Sequence, residues 1–90
     1  MGAIMTPLDE RVHKIIARME SSQANISYKD LLKVCEHYFG PPRQRGSSHA
    51  VFATPWVGDP RINIQDSRGK AKVYQVRQVL KAIAKLEEQQ

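Results

Sequence analysis

The chain has 90 residues, of which 41% are hydrophobic and 26% are charged. A chain this short buries only about 60% of the surface that it exposes when unfolded, so it has room for one hydrophobic core. Its single cysteine, Cys35, excludes an internal disulfide, and no Cys/His cluster has the spacing of a zinc site. No apolar run approaches the roughly 20 residues of a membrane helix. We therefore expect a cytoplasmic protein without a metal or other cofactor.

The net charge of +5 is concentrated in the middle of the chain. Residues 1–39 carry five basic and five acidic side chains, whereas residues 40–74 carry six basic side chains against two acidic ones. A local excess of this kind is typical of a surface that meets a polyanion, and nucleic acid is the obvious candidate. Six solvated basic side chains without a ligand are the alternative interpretation.

The first predicted element is an amphipathic helix from Pro7 to Ser21. Thr6 is suited to the N-cap position, proline to the first helical position and Asp9 to the first turn. Apolar residues then recur at helical spacing and predict a buried face, formed by Leu8, Val12, Ile15, Ile16 and Met19.

A second helix is predicted from Ser27, which is placed to cap it, to Gly40, which favours a left-handed stop. The two prolines that follow Gly40 cannot continue a helix. The expected buried stripe consists of Leu31, Leu32, Cys35 and either Tyr38 or Phe39. No activating base is evident beside Cys35, so we interpret it as a small core residue rather than a nucleophile.

The pattern then changes to short extended runs, at Arg43 to Arg45, His49 to Ala53 and Arg61 to Gln65. They predict a three-stranded antiparallel meander. Because Phe52 is the better core residue of the second run, alternation places His49 on the opposite, open face.

A basic loop from Asp66 to Lys72 and a last amphipathic helix beginning near Val73 complete the prediction. The fold class is therefore α+β, with a three-stranded antiparallel sheet and helices packed on one face.

Histidine has an unperturbed pKa of about 6.5, so it both accepts and donates protons near neutrality. Metal-free RNA cleavage needs this property, together with cations that hold the phosphate. His49 is the candidate catalytic residue. The candidate RNA-binding residues are Arg43, Arg45, Ser47, Ser48, Arg61, Arg68, Lys70 and Lys72.

The remaining histidines, Trp56 and the known catalytic motifs give no comparable indication of function. His13 and His37 fall on polar helix faces, where we expect solvated surface histidines. Trp56 is more consistent with packing over the hairpin end than with stacking on a base. The chain has no Gly-x-Ser-x-Gly elbow of a serine hydrolase and no P-loop.

Two segments, Gln44 to Phe52 and Gly69 to Leu80, resemble the HicA-type toxin family, the mRNA interferases of bacterial toxin–antitoxin systems. The first resembles the family's Gly-Ser-x-His block, with His49 at the position of the catalytic histidine. The second resembles the lysine-bearing start of the family's last helix. The resemblance spans residues 27–87, and Ser48 stands where many members have a second histidine.

The resemblance implies an α-β-β-β-α domain similar to double-stranded RNA-binding domains, over residues 26–90, preceded by an N-terminal helical extension over residues 1–25. It also implies a type II toxin that cleaves mRNA without a metal ion, and a cognate HicB-type antitoxin as its partner. A non-catalytic RNA-binding module of the same fold is the alternative. A pure protein-interaction domain is a third possibility.

Overall fold

A computed structural model describes residues 6–58 and 60–88 of the chain. This part has a mixed α+β fold with three α-helices and a small antiparallel sheet of four strands. In chain order the elements are α1 (Pro7–Ser21), a 3₁₀ turn (Gln23–Asn25), α2 (Tyr28–Phe39), β1 (Gln44–Arg45), β2 (His49–Phe52), β3 (Ile62–Ser67), β4 (Lys70–Ala71) and α3 (Val73–Glu88).

The helix ends follow from local capping. Thr6 Oγ1 accepts a hydrogen bond from the Asp9 backbone N–H at 3.1 Å, and the Asp9 carboxylate accepts one from the Thr6 N–H at 3.2 Å. Ser27 Oγ caps α2 by accepting from the Asp30 N–H at 3.1 Å. Gly40 ends α2 with a φ of +80°. The predicted bounds of α1 and the start and stop signals of α2 are confirmed.

All three helices and the sheet share one core. From α1 the core takes Val12, Ile15 and Met19, each at most 2% exposed, and α2 contributes Cys35 in the middle of its stripe. Leu8 was predicted to join this face and is 53% exposed, because it lies in the first turn, one turn before the part of α1 that the core covers. The helix that sequence treats as an extension is therefore a structural layer of the core.

The strands lie in the order β1-β2-β3-β4, and each pairs antiparallel with its neighbours. In the central pair, His49 lies opposite Gln65 and Phe52 lies opposite Ile62. Ala50 and Phe52 of β2 and Ile62 and Ile64 of β3 face the core. The other face of the sheet carries the alternate residues.

The sheet has one strand more than predicted, and the loop predicted over residues 66–72 is wrong. β3 continues to Ser67, and a two-residue turn, Arg68-Gly69, leads directly into β4. Both turn residues have positive φ, +55° for Arg68 and +86° for Gly69, as a type I′ hairpin requires. Arginine is an unusual residue in this conformation, so the turn gave little signal in the sequence. The Asp66 carboxylate supports it by accepting from the Gly69 N–H.

Over the two described ranges, no helix is both long and apolar enough to cross a bilayer.

Candidate functional site

The side of the sheet that faces away from the core carries a row of polar residues around His49. Residues directly opposite in an antiparallel pair share a face, and so do residues two apart along a strand. The register therefore assigns to this open face His49 and Val51 of β2, Asn63, Gln65 and Ser67 of β3, and Lys70 of β4. All of them are exposed except Val51. The prediction that His49 lies on the open face is confirmed.

The position of the His49 ring depends on Gly46. These residues face each other across the β1–β2 turn, where the Gly46 N–H donates to the His49 carbonyl oxygen at 2.9 Å. The imidazole lies over the Gly46 Cα. A Cβ built at residue 46 would be 2.5 Å from His49 Cε1 and 2.8 Å from Nδ1, closer than real Cβ contacts come. A side chain at residue 46 would therefore require the His49 ring to move.

A buried glutamine, Gln75, which the sequence analysis did not single out, is hydrogen-bonded to β3 at Gln65. The Asp66 N–H donates to the carbonyl oxygen of Ser48, just before β2, so the preceding N–H, that of Gln65, points away from β2. There β4 has already ended, and Gln75 Oε1 accepts from that N–H at 2.8 Å. Gln75 Nε2 in turn donates to the Tyr74 hydroxyl at 3.2 Å. Gln75 is 2% exposed, whereas the neighbouring Tyr74 is 61% exposed.

Of the predicted cations, Lys70 lies on the same face as His49. It is two strands away and displaced by two residues, which corresponds to about 12 Å between Cα atoms at standard strand spacing.

Arg43 and Arg45 have a different placement from the one expected beside His49. Arg45 pairs with Ala50, a core-facing residue, so Arg45 lies on the helix side of edge strand β1, and Arg43 lies just before β1, where its N–H donates to the Val51 carbonyl oxygen at 2.7 Å. Burial raises the pKa of Tyr28, and the charge of nearby Arg45 opposes that rise. A ligand must wrap around the β1 edge to meet both Arg45 and His49.

The remaining predicted residues lie in the connections and are exposed. Ser47 and Ser48 form the β1–β2 turn, Arg61 immediately precedes β3, and Arg68 is at the tip of the β3–β4 turn. Lys72 joins β4 to α3, and its carbonyl accepts from the N–H groups of the first helical turn. Ser47 and Ser48 adjoin His49 along the chain, whereas Arg61 lies four residues before Gln65, the partner of His49 in the sheet.

The other side chains considered in the sequence analysis lie in or against the core, or on the helices. Cys35 is completely buried, and burial raises the pKa of its thiol, in agreement with a core residue. Trp56 packs against the core with Lys85 Nζ 4.4 Å from its ring centroid, so the packing interpretation is confirmed.

His37 Nε2 lies 3.6 Å from Asp9 Oδ1, and hydrogen bonds from Thr6 lower the pKa of Asp9. His13 lines a groove between α1 and α3, away from the sheet.

Across residues 6–58 and 60–88, no three or more histidine, cysteine, aspartate or glutamate side chains are grouped so as to hold a metal ion. The site therefore consists of one exposed imidazole, amide and hydroxyl side chains, and flanking cations. In comparisons with known proteins, no family model matches the chain, and no curated protein and no solved structure matches it.

Proposed function

We propose that this chain is a metal-independent endoribonuclease that cleaves mRNA, the toxin of a type II toxin–antitoxin system that resembles the HicA-type family. The observation that supports it best is the placement of His49. Its imidazole lies on a solvent-exposed sheet face, next to a strand turn that has no side chain at Gly46 to block access. A cytoplasmic location and a HicB-type antitoxin as partner belong to the same proposal and follow from the resemblance.

The chemistry requires one imidazole and a held phosphate. His49 accepts the proton of a ribose 2′-hydroxyl, whose oxygen attacks the adjacent phosphorus. The bond from phosphorus to the 5′-oxygen breaks, which leaves a 2′,3′-cyclic phosphate on one product. The departing 5′-oxygen takes a proton from water at the open face, since Ser48 stands where many HicA-type proteins have a second histidine. Lys70, on the same face, stabilises the negative charge of the RNA backbone.

The proposed HicA-like unit, similar to a double-stranded RNA-binding domain, comprises residues 26–90. The order α2-β1-β2-β3-α3 supports this assignment, with β4 as a two-residue addition. In this proposal α1 belongs to the extension over residues 1–25, although it contributes Val12, Ile15 and Met19 to the common core.

The direct test is His49→Ala with His13→Ala as its matched control, since both histidines are exposed and His13 lies away from the sheet. Expression of the unmodified chain should arrest bacterial growth, and purified protein should cleave RNA in the presence of EDTA. Loss of a general acid or base lowers the rate by about 10²- to 10⁴-fold, so His49→Ala should abolish arrest and cleavage. His13→Ala should retain both. Equal cleavage by the His49→Ala protein would remove His49 from the mechanism.

The second candidate is a non-catalytic RNA-binding module of the same fold. It is favoured by Ser48 in place of a second histidine and by the placement of Arg45 on the other side of the sheet from His49. This function predicts RNA binding with no cleavage by the unmodified chain and no loss of affinity in His49→Ala. The antitoxin partner is tested separately, by co-expressing the product of the adjacent reading frame and asking whether it co-purifies and restores growth.

A further inference from the structure

Tyr74 presents an aromatic ring to solvent and holds it in a defined orientation. Tyr74 is 61% exposed in the first turn of α3, while its hydroxyl accepts a hydrogen bond from Gln75 Nε2 at 3.2 Å. Gln75 is itself fixed, since it is 2% exposed and its Oε1 accepts from the Gln65 N–H at 2.8 Å. A tethered ring loses little side-chain freedom when a ligand stacks on it. Because Tyr74 is exposed and its hydroxyl is held by a hydrogen bond, the ring forms a contact surface that is in place before a ligand binds.

An open depression runs along α3 beside this ring. Its lining residues are Gln23, Tyr74, Arg77, Gln78, Leu80, Lys81 and Ala84. Leu80 and Ala84 supply an apolar floor, and Arg77 and Lys81 place two positive charges at its border. The acidic residues of α3, Glu87 and Glu88, are at the far end of the helix. An aromatic face, an apolar floor and flanking cations are the features with which proteins bind single-stranded nucleic acid.

The depression is connected to the candidate catalytic residue through the sheet. Two hydrogen bonds link the Tyr74 hydroxyl to the backbone of Gln65, and Gln65 lies directly opposite His49 in the β2–β3 pair. The side-chain amide of Gln75 and the spacing between β2 and β3 therefore separate the Tyr74 hydroxyl from the backbone of His49. The depression lies on the helix side, since it shares Gln23, Leu80 and Ala84 with the groove between α1 and α3, so an RNA strand that meets both sites passes over the β3 edge at Gln65.

We propose that the depression beside Tyr74 binds one nucleotide of single-stranded RNA. The base stacks on the Tyr74 ring, the Gln78 amide faces the edge of the base, and Arg77 and Lys81 hold the adjoining phosphates. The inference rests on the proposed function, and it adds a substrate class, because a base has to be unpaired before it stacks on a protein ring. Gln75 acts as a positioning residue through Tyr74.

The test measures RNA binding in the His49→Ala background, in which the RNA stays intact. Two fluorescein-labelled single-stranded RNAs of the same length are compared, one normal and one with abasic sites throughout its central part. Stacking of one base contributes at least about 1 kcal/mol, so Tyr74→Ala should weaken binding of the normal RNA by about fivefold or more. It should leave the abasic RNA unaffected. Tyr74→Phe keeps the ring and should retain most of the affinity, and Leu8→Ala, an exposed site in α1, should change neither.

Each outcome has one meaning. If Tyr74→Ala binds the normal RNA as tightly as its parent, or weakens both RNAs equally, the stacking site is overturned while the proposed function stands. If the His49→Ala parent binds neither RNA, the proposed function is overturned as well. Thermal unfolding of each variant, followed by circular dichroism, verifies that every protein compared is folded.

Discussion

The imidazole of His49 occupies the space above Gly46 that any other residue would fill with its Cβ. Among the described residues, Gly40, Gly58 and Gly69 have positive φ and no heavy atom within 4 Å of an added Cβ. Gly46 differs, because its constraint comes from the neighbouring ring and not from its own backbone. The observed position of the His49 ring is thus possible only because residue 46, three positions earlier in the chain, has no side chain.

Replacing Gly46 by alanine should displace the His49 ring with little loss of stability. The added methyl group would lie 2.5 Å from Cε1, so the imidazole has to rotate away from the turn. A misplacement of about 1 Å costs on the order of 10²-fold in rate, and we expect a loss of this size in kcat/KM for RNA cleavage. His13→Ala, at an exposed position away from the sheet, is the control and should retain activity. Full activity of Gly46→Ala would show that the observed ring position is not the reactive one.

The charge distribution leads to a prediction about salt dependence. Lys70 lies on the His49 face and Lys72 directly follows β4, so each is expected to contact one RNA phosphate. Lys70→Ala or Lys72→Ala should each reduce the slope of log K against log salt by about 0.7, the single-strand value per phosphate. Lys14→Ala, in the groove between α1 and α2, is the control and should leave the slope unchanged. RNA binding that does not respond to salt would favour a protein-interaction domain.

The parts of this fold that sequence predicts are those with local causes. The bounds of α1 follow from Thr6 and Pro7, and the face of His49 follows from Phe52 three residues later. The strand β4 escaped prediction because its turn has arginine where asparagine or aspartate is usual. The burial of Gln75 was not predicted for another reason. A glutamine in a helix normally indicates a solvated face, and this one is buried only because β4 ends before it can pair with Gln65.

Gln75 should therefore be more important for stability than its residue type suggests. Gln75→Leu removes the acceptor of the Gln65 N–H and leaves a partly buried donor unpaired, which costs about 1–3 kcal/mol. Gln78→Leu, on the exposed side of the same helix, is the matched control and should change the free energy of unfolding by less than about 0.5 kcal/mol. Urea unfolding followed by circular dichroism measures both. Equal stability of the two variants would mean that water replaces the lost acceptor.

The α1 helix gives a matched pair of apolar residues with opposite surroundings. Met19 is completely buried in the common core, and Leu8 is 53% exposed. Met19→Ala should destabilise the protein by about 2–5 kcal/mol through lost burial and the cavity that remains. Leu8→Ala should cost about 0.5 kcal/mol or less. A small effect of Met19→Ala in urea unfolding would mean that residues 1–25 are a separable extension.

Cys35 should make stability fall as the pH rises above neutrality. Burial raises the pKa of its thiol in the folded protein, whereas in the unfolded chain the thiol titrates near pH 8.5. Above that pH the unfolded state releases a proton that the folded state keeps, so ionisation stabilises the unfolded state and the free energy of unfolding decreases. Burial also raises the pKa values of Tyr28 and Tyr38, but free tyrosine titrates near pH 10, so the interval from about pH 8 to 9.5 isolates the thiol. Urea unfolding over this interval should show the decline in the unmodified chain and a flatter profile in Cys35→Ala. The same slope in both proteins would assign the pH dependence to other groups.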